Sequence, residues 1–214
     1  MKKFAIGCAV LAVIGLFVLL LIVVGGMSYN RLVKYSQGVD KQWAQVQNVY
    51  QRRADLIPNL VATVSGAANF EKSTLVEITQ ARASVGKVQL GPNAPTDPAQ
   101  LAQFERAQGQ LSSALSRLLV VVERYPDLKA NANFLSLQAQ LEGTENRISV
   151  ERGRFNEAVQ TYDTAIKSFP DLLYAGWLGF KDKPYFTATA GAEKPPQVQF
   201  NFGAPPAAPA PAKP

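Results

Sequence analysis

The chain has 214 residues, of which 22 are basic, 16 are acidic, one is cysteine and none is histidine. Without histidine it has no Ser-His-Asp triad, no Cys-His pair and no imidazole metal ligand. The net charge of +6 is small and dispersed, so it does not predict a nucleic-acid-binding surface. A single cysteine cannot form an intrachain disulfide. We therefore predict a non-enzymatic protein with no cofactor, no metal and no nucleic-acid partner.

The first predicted element is a membrane span. Residues Phe4 to Met27 carry no charge, and as a helix these 24 residues would extend about 36 Å, whereas a hydrocarbon core is about 30 Å thick. A cleaved signal peptide is the alternative, because basic residues precede the run and the small pair Gly25-Gly26 lies near its end. The apolar run is longer than the roughly 7–15 residues of a signal-peptide core, so we predict a retained anchor at residues 1–27.

The charges beside the span leave its orientation open. Lys2, Lys3 and the terminal amine lie on one side, and three basic residues, Arg31, Lys34 and Lys41, lie on the other. Orientation by positive charge requires an excess on one side, which is absent here. The three cations that follow the span could contact anionic lipid headgroups, or they could form an ordinary solvated helix face.

The first apolar pattern after the span predicts a helix from about Tyr29 to Ser65. Two rows of residues repeat at seven-residue steps, as in a helix that packs against other long helices. The first row is Leu32, Val39, Val46, Arg53 and Leu60, and the second is Trp43, Tyr50, Ile57 and Val64. The helix is predicted to break at Gly66 to Asn69, with Asn69 or Ser73 as the cap of the next helix.

Three further helices are predicted before a Pro/Ala-rich tail. The second contains Leu75, Ile78 and Val85, and a loop from Gly91 to Pro98 separates it from the third, at about Ala99 to Arg124. The fourth is about forty residues long and ends at Phe169-Pro170. It carries a seven-residue row of Phe134, Leu141, Ile148, Phe155 and Tyr162.

These elements predict an all-α fold: an elongated up-and-down, antiparallel bundle of about four helices on an N-terminal transmembrane helix. The two longest helices would form its central antiparallel pair, and a short segment after Pro170 would pack on the end of the bundle. We place the bundle domain at residues 28–190. Residues 191–214 form a Pro/Ala-rich tail that we predict to be disordered, with one weak strand pattern at Gln197 to Phe202.

The stretch Gln51 to Val61 departs from the pattern of its helix. Arg53 lies on an apolar row, where a buried charge requires a partner. Pro58 lacks a backbone N–H and is expected to bend the helix near Ala54, four residues earlier. We therefore predict a bent bundle helix with a semi-buried ionic contact.

A candidate structural polar cluster combines this stretch with the middle of the fourth helix. Its members are Arg52, Arg53, Asp55, Pro58, Asn59, Glu142, Glu145, Asn146 and Arg147. Our hypothesis is that Arg52 or Arg53 pairs with Glu142 or Glu145 and sets the register between the two longest helices. A ligand or partner site is the alternative.

Two narrower interpretations concern the same cluster. Asn59, Asn131 and Asn146 could cap backbone groups freed by Pro58 and by the turn after Pro126. Glu142 and Glu145 lie three residues apart, and carboxylate pairs can hold di-iron in helical bundles, but the Glu-x-x-His pairs of such sites are absent.

Several long motifs resemble the LemA family of bacterial single-span membrane proteins. They are YNRLV at 29–33, WAQV at 43–46, RRADLIPNLV at 52–61, YPDLKANANFLSLQAQLEGTENRI at 125–148 and RGRFNEAV at 152–159. Phe155 stands where a tyrosine is common, Ala132 where an acidic residue is frequent, and the histidine often seen just before Glu71 is absent. The resemblance implies a helical bundle anchored in the bacterial cytoplasmic (inner) membrane. It implies no settled biochemical activity.

Two function classes follow. The first is a scaffold or adaptor in the lipid bilayer that works by self-association or by binding other membrane proteins, since anchoring raises the effective concentration of weakly binding partners. The second is a lipid- or envelope-component-binding protein that uses the aromatic segment Leu172 to Phe186.

Overall fold

The computed structural model describes residues 2–67, 70–88 and 90–187, with side chains from Leu11 onward. Within these ranges all regular secondary structure is helical. The helices are α1 (Lys2–Ser65), α2 (Lys72–Lys87), α3 (Pro98–Val122), α4 (Pro126–Lys129), α5 (Ala132–Lys167) and α6 (Leu172–Ala175). The predicted all-α class is confirmed. The disordered tail and the weak strand pattern lie outside the described residues.

Helix α1 joins the apolar run and the first bundle helix without a break. It contains 64 residues and passes through Gly25 and Gly26, the small pair near the end of the apolar run. In the described part of the chain it is the one helix long and apolar enough to cross a membrane. Its side chains are exposed between Leu11 and Val23, whereas both seven-residue rows from Leu32 to Val64 are buried. One continuous helix therefore contains the candidate span and the centre of the bundle.

Helix α5 packs along α1 in the antiparallel direction. Arg31 contacts Asp171, four residues past the end of α5, near the candidate span, and the Trp43 ring lies 5.7 Å from that of Phe155. Farther along, Arg53 contacts Glu145. Residue numbers thus increase along α1 in the direction in which they decrease along α5. The two helices are antiparallel, which confirms the predicted central pair.

Helices α2 and α3 form a second pair that covers the half of α1 farther from the candidate span. The buried apolar residues fall into two clusters along the bundle. The proximal core, nearer the span, is centred on Trp43, Phe104 and Phe155. The distal core contains Ile57, Leu111 and Phe134.

Proline 58 lies inside α1, and the helix continues past it. The carbonyl of Ala54, which loses its usual helical donor at this point, accepts a hydrogen bond of 3.1 Å from Arg82 Nε of α2. Asn59 and Asn146 were the sequence candidates for this role, and the donor in the described part of the structure is a guanidinium from another helix. The bend near Ala54 stays a prediction.

Helix ends agree in part with the predicted caps. The Asn131 side chain accepts hydrogen bonds from the backbone N–H groups of Asn133 and Phe134, which confirms its predicted role as a cap. The cap residue of α2 is Glu71, not Ser73, and it makes no side-chain capping bond. Asn69 lies outside the described residues.

The bond to Ala54 predicts a specific energetic coupling. Replacing Arg82 by alanine should cost about 0.5–1.5 kcal/mol of unfolding free energy, because the Ala54 carbonyl loses its donor. In a Pro58→Ala background the same change should cost almost nothing, since residue 58 then donates to that carbonyl. A double-mutant cycle by urea unfolding measures the coupling. Arg117→Ala is the control, because its ion pair with Glu77 is exposed and should count for little. Equal costs in the two backgrounds would contradict the coupling.

After α6 the chain returns along α5 as an extended segment, residues 180–187. The Tyr162 hydroxyl donates to the Lys181 carbonyl, and the Asn156 side chain makes two hydrogen bonds to the backbone of Phe186. Arg152 donates to the Thr187 carbonyl. The predicted short segment therefore does more than cover the bundle end, because it runs back along α5 and places Phe186 in the proximal core.

Candidate functional site

The most unusual buried group in the bundle is the guanidinium of Arg53, whose residue is 1 % exposed. One terminal nitrogen donates to Ser112 Oγ at 2.9 Å and to Glu145 Oε1 at 2.5 Å. The other donates to the side-chain oxygen of Gln108. The guanidinium carbon lies 5.1 Å from the centre of the Tyr50 ring, within range of a cation–π contact. These five side chains are called the Arg53 layer below.

The Arg53 layer separates the two cores. Tyr50 belongs to the proximal core and Ile57 to the distal core, and Arg53 lies between them on α1. On α3 the same division falls between Phe104 and Leu111. The layer links α1, α3 and α5 through directional bonds, which apolar contacts alone cannot provide.

The two partners of the Arg53–Glu145 ion pair differ in burial. Arg53 is buried, whereas the Glu145 side chain remains 45 % exposed, so the carboxylate keeps part of its hydration. The Nε atom of Arg53 is buried without a hydrogen-bond partner among the described residues. Burial raises the pKa of the Tyr50 hydroxyl above its usual value, against the opposing effects of Arg152 and Arg53.

The structure brings together only part of the predicted polar cluster. Arg53 meets Glu145, while Glu142 and Asn146 lie beside them on the rim of a groove. Arg52, Asp55, Pro58, Asn59 and Arg147 are exposed. The Asp55 carboxylate accepts a bond from Gln51 on its own helix. Among the described residues, none of these five supplies a hydrogen bond to the Arg53 guanidinium.

Two members of the layer, Gln108 and Ser112, were not predicted from the sequence. A signal existed for Gln108, which lies seven residues after Leu101 and seven before Leu115, on an apolar row of α3. It is 5 % exposed. Like Arg53, it is a polar residue at a core position, and the two meet.

A groove between α3 and α5 opens beside the layer. Its part nearer the candidate span has a volume of about 650 Å³, and its walls include Arg106 and Arg152. The next part has a volume of about 510 Å³ and a more apolar lining, with Leu115, Leu119 and Leu141. Ser112 and Glu145 line both parts. The Arg53 layer therefore reaches the surface in the middle of the groove.

A second buried ionic contact holds the extended segment. Lys183 is 7 % exposed, and its ammonium group donates to Asp40 Oδ1 at 3.0 Å. Its backbone N–H donates to Asp163. Burial raises the pKa of the Asp163 carboxyl, although the Lys183 N–H bond opposes this change. Lys183 thus joins the segment to both α1 and α5. In the described ranges, no group of three or more acidic or other metal-ligating side chains comes together.

Comparison with known proteins identifies the family to which the chain belongs. The sequence model of the LemA family matches residues 42–200, about three quarters of the chain. The chain belongs to the LemA family. The match includes every residue of the Arg53 layer, so this layer lies in the part of the chain that follows the LemA pattern. It also extends to residue 200, past the boundary at residue 190 that composition suggested for the bundle.

Individual relatives are more distant. The chain is 27 % identical over 188 residues to Magnetosome protein MamQ 2 of Paramagnetospirillum magneticum. The aligned region covers 79 % of this chain and 68 % of that protein. It is 26 % identical over 194 residues to Magnetosome protein MamQ of Magnetospirillum gryphiswaldense, covering 80 % and 70 %. Protein LemA of Metamycoplasma hominis is 23 % identical over 168 residues, covering 75 % and 69 %. Together with the apolar part of α1, these matches indicate a membrane-associated helical protein of the LemA family.

Proposed function

We propose that this protein is a non-enzymatic, single-pass scaffold or adaptor of the bacterial cytoplasmic membrane that acts by self-association or by binding other membrane proteins. The observation that carries the proposal is the continuity of α1 from the apolar run to Ser65. Because one helix contains both parts, the orientation of the anchor is transmitted to the bundle. A bundle fixed in this way presents its side surfaces, including the groove, at a defined height above the lipid.

The chemistry of the chain supports a role in binding. No histidine is present in the sequence, and the single cysteine, Cys8, lies in the apolar run. The polar groups of the Arg53 layer are largely engaged with one another, which favours the structural interpretation: the layer sets the register between α1, α3 and α5. Confinement to two dimensions allows weak side-to-side contacts to suffice.

Crosslinking of the full chain in its native membrane tests the scaffold. We expect discrete products at multiples of 23.2 kDa, or products with particular membrane proteins. The matched variant carries a flexible Gly/Ser insert between Met27 and Ser28, which keeps the anchor but breaks the continuity of α1. Its discrete products should decrease while its far-ultraviolet circular dichroism stays the same. If the wild type yields no more product than an unrelated single-span protein at equal abundance, the scaffold proposal fails.

A lipid- or envelope-component-binding protein is the second candidate. Exposed Leu172, Leu173 and Trp177 favour it, whereas Phe186 of the same segment is buried in the proximal core. Light scattering of detergent-solubilised protein separates the two candidates. Large assemblies of defined size favour the scaffold, and a monomer that retains lipid favours the second candidate.

A further inference from the structure

The loop after α5, residues 168–180, includes the short helix α6 and exposes a cluster of large apolar side chains. Within nine residues, Phe169 is 80 % exposed, Leu172 58 %, Leu173 65 % and Trp177 87 %. Exposed apolar residues elsewhere on the bundle, such as Val76, Val120 and Val150, are separated along the chain. Clustered exposure of this kind marks an interaction surface, whereas scattered exposure is normal.

This loop is attached to the end of the apolar run. The Tyr174 ring packs on Gly25 so closely that a Cβ at that glycine would lie 3.3 Å from a ring carbon. The Arg31 guanidinium donates to the buried Asp171 carboxylate, with N–O distances of 2.6 and 2.9 Å. The Tyr29 and Phe180 rings lie 6.0 Å apart. These contacts hold the loop beside residues 25–31 of α1.

The position of Gly25 gives the height of the loop relative to the membrane. Gly25 precedes Met27, the last residue of the apolar run, by two positions, or about 3 Å along the helix axis. The run, at about 36 Å, exceeds a hydrocarbon core of about 30 Å, so its last residues lie at the boundary between acyl chains and headgroups. The exposed side chains of the loop are therefore placed at the depth where tryptophan and tyrosine are enriched in membrane proteins.

We propose that the 168–180 loop inserts Phe169, Leu172, Leu173 and Trp177 into the headgroup boundary of the bilayer that α1 crosses. The partner is the lipid of that bilayer. The indole of Trp177 suits this layer because its ring is apolar while its N–H can bond to a headgroup or to water. Charge does not oppose insertion, since Asp171 pairs with Arg31, and of the flanking charges Asp182 pairs with Lys167 while Lys181 is cationic. The bundle then has two attachments to the membrane, which fix its tilt and its rotation about α1.

Tryptophan fluorescence of the full chain in vesicles tests this second attachment. The chain has two tryptophans, and Trp43 lies sixteen residues beyond Met27, about 24 Å above the run. The difference between wild type and Trp177→Phe isolates the emission of Trp177. In phosphatidylcholine/phosphatidylglycerol vesicles we expect that emission to shift to shorter wavelength and to be quenched by lipids brominated near the headgroup end. The Trp43 emission that remains in Trp177→Phe should not be quenched.

Each contrary outcome has its own meaning. Trp177 emission that resembles solvent-exposed tryptophan, or that is quenched no more than Trp43, overturns the insertion. A shifted emission without quenching by brominated lipid also overturns it and indicates that a second copy of the chain covers the loop. Because the inference rests on the proposed membrane span, flotation with the same vesicles serves as the control. Protein that floats with unquenched Trp177 contradicts only the insertion, whereas protein that fails to float contradicts the span and with it the insertion.

Discussion

Replacing Arg53 by alanine is expected to lower the unfolding free energy by about 2–3 kcal/mol. The change leaves the buried amide of Gln108 without its charged partner and removes the bonds that join α1 to α3 and α5. Glu145 is partly exposed and regains hydration, so the loss should be below the roughly 3–5 kcal/mol of a fully buried broken pair. Urea unfolding of the detergent-solubilised chain, followed by far-ultraviolet circular dichroism, measures it.

The neighbouring arginine supplies the matched control. Arg52 is exposed on the same helix, and Arg52→Ala should change stability by no more than about 0.5 kcal/mol. Arg53→Lys should recover less than half of the loss, because one ammonium group cannot replace the planar set of donors that reaches Ser112, Gln108 and Glu145. Equal effects of the alanine changes at 52 and 53 would contradict the structural role of the layer.

A further variant separates stability from register. In Arg53→Leu with Gln108→Leu both buried polar groups are replaced, so most of the lost stability should return. If the layer sets the register, the unfolding transition of this double variant should nonetheless be less cooperative, because two continuous apolar seams can slide. If Arg53→Leu instead left stability and oligomeric state unchanged and abolished crosslinking to a partner, the layer would be a binding site and the structural account would fail.

The features that could be predicted from sequence are those that depend on local periodicity. The rows from Leu32 to Val64 repeat with the helical period, and each member is buried. Arg53 could be singled out because it is a charged residue on one of these apolar rows. Glu145 could be singled out because it lies close to the apolar row of α5. An antiparallel arrangement of two long helices then placed the two side chains at similar heights.

Other features depend on which surfaces meet, and no local period records that. The third helix supplies Gln108 and Ser112, but its rotation about α1 follows from packing of the whole bundle. Arg82 reaches the Ala54 carbonyl from another helix. The extended segment is held by side-chain bonds to its backbone, for example from Tyr162 to Lys181, and such bonds leave no repeating pattern in the sequence.

Replacing Trp43 by alanine should have the largest effect of any single substitution considered, about 3–5 kcal/mol. The Trp43 side chain is fully buried and forms edge-to-face contacts with Phe104 and Phe155, and it stacks on Phe186 at 6.2 Å. It thereby joins α1, α3, α5 and the extended segment. Its indole N–H also donates to the Gly91 carbonyl at 3.3 Å, so removal affects the loop before α3 as well.

The two tryptophans form a natural matched pair for this test. Trp177→Ala, at a side chain that is 87 % exposed, should change stability in detergent by no more than about 0.5 kcal/mol. Loss of Trp43 should also release residues 180–187, because Phe186 loses the ring on which it stacks. Trypsin should then cut after Lys181 under conditions that leave the wild type intact, whereas the bond after Lys183 precedes Pro184 and resists trypsin. Destabilisation without faster cleavage would show that the Asn156 and Lys183 bonds hold the segment independently, and that Trp43 acts on the helices alone.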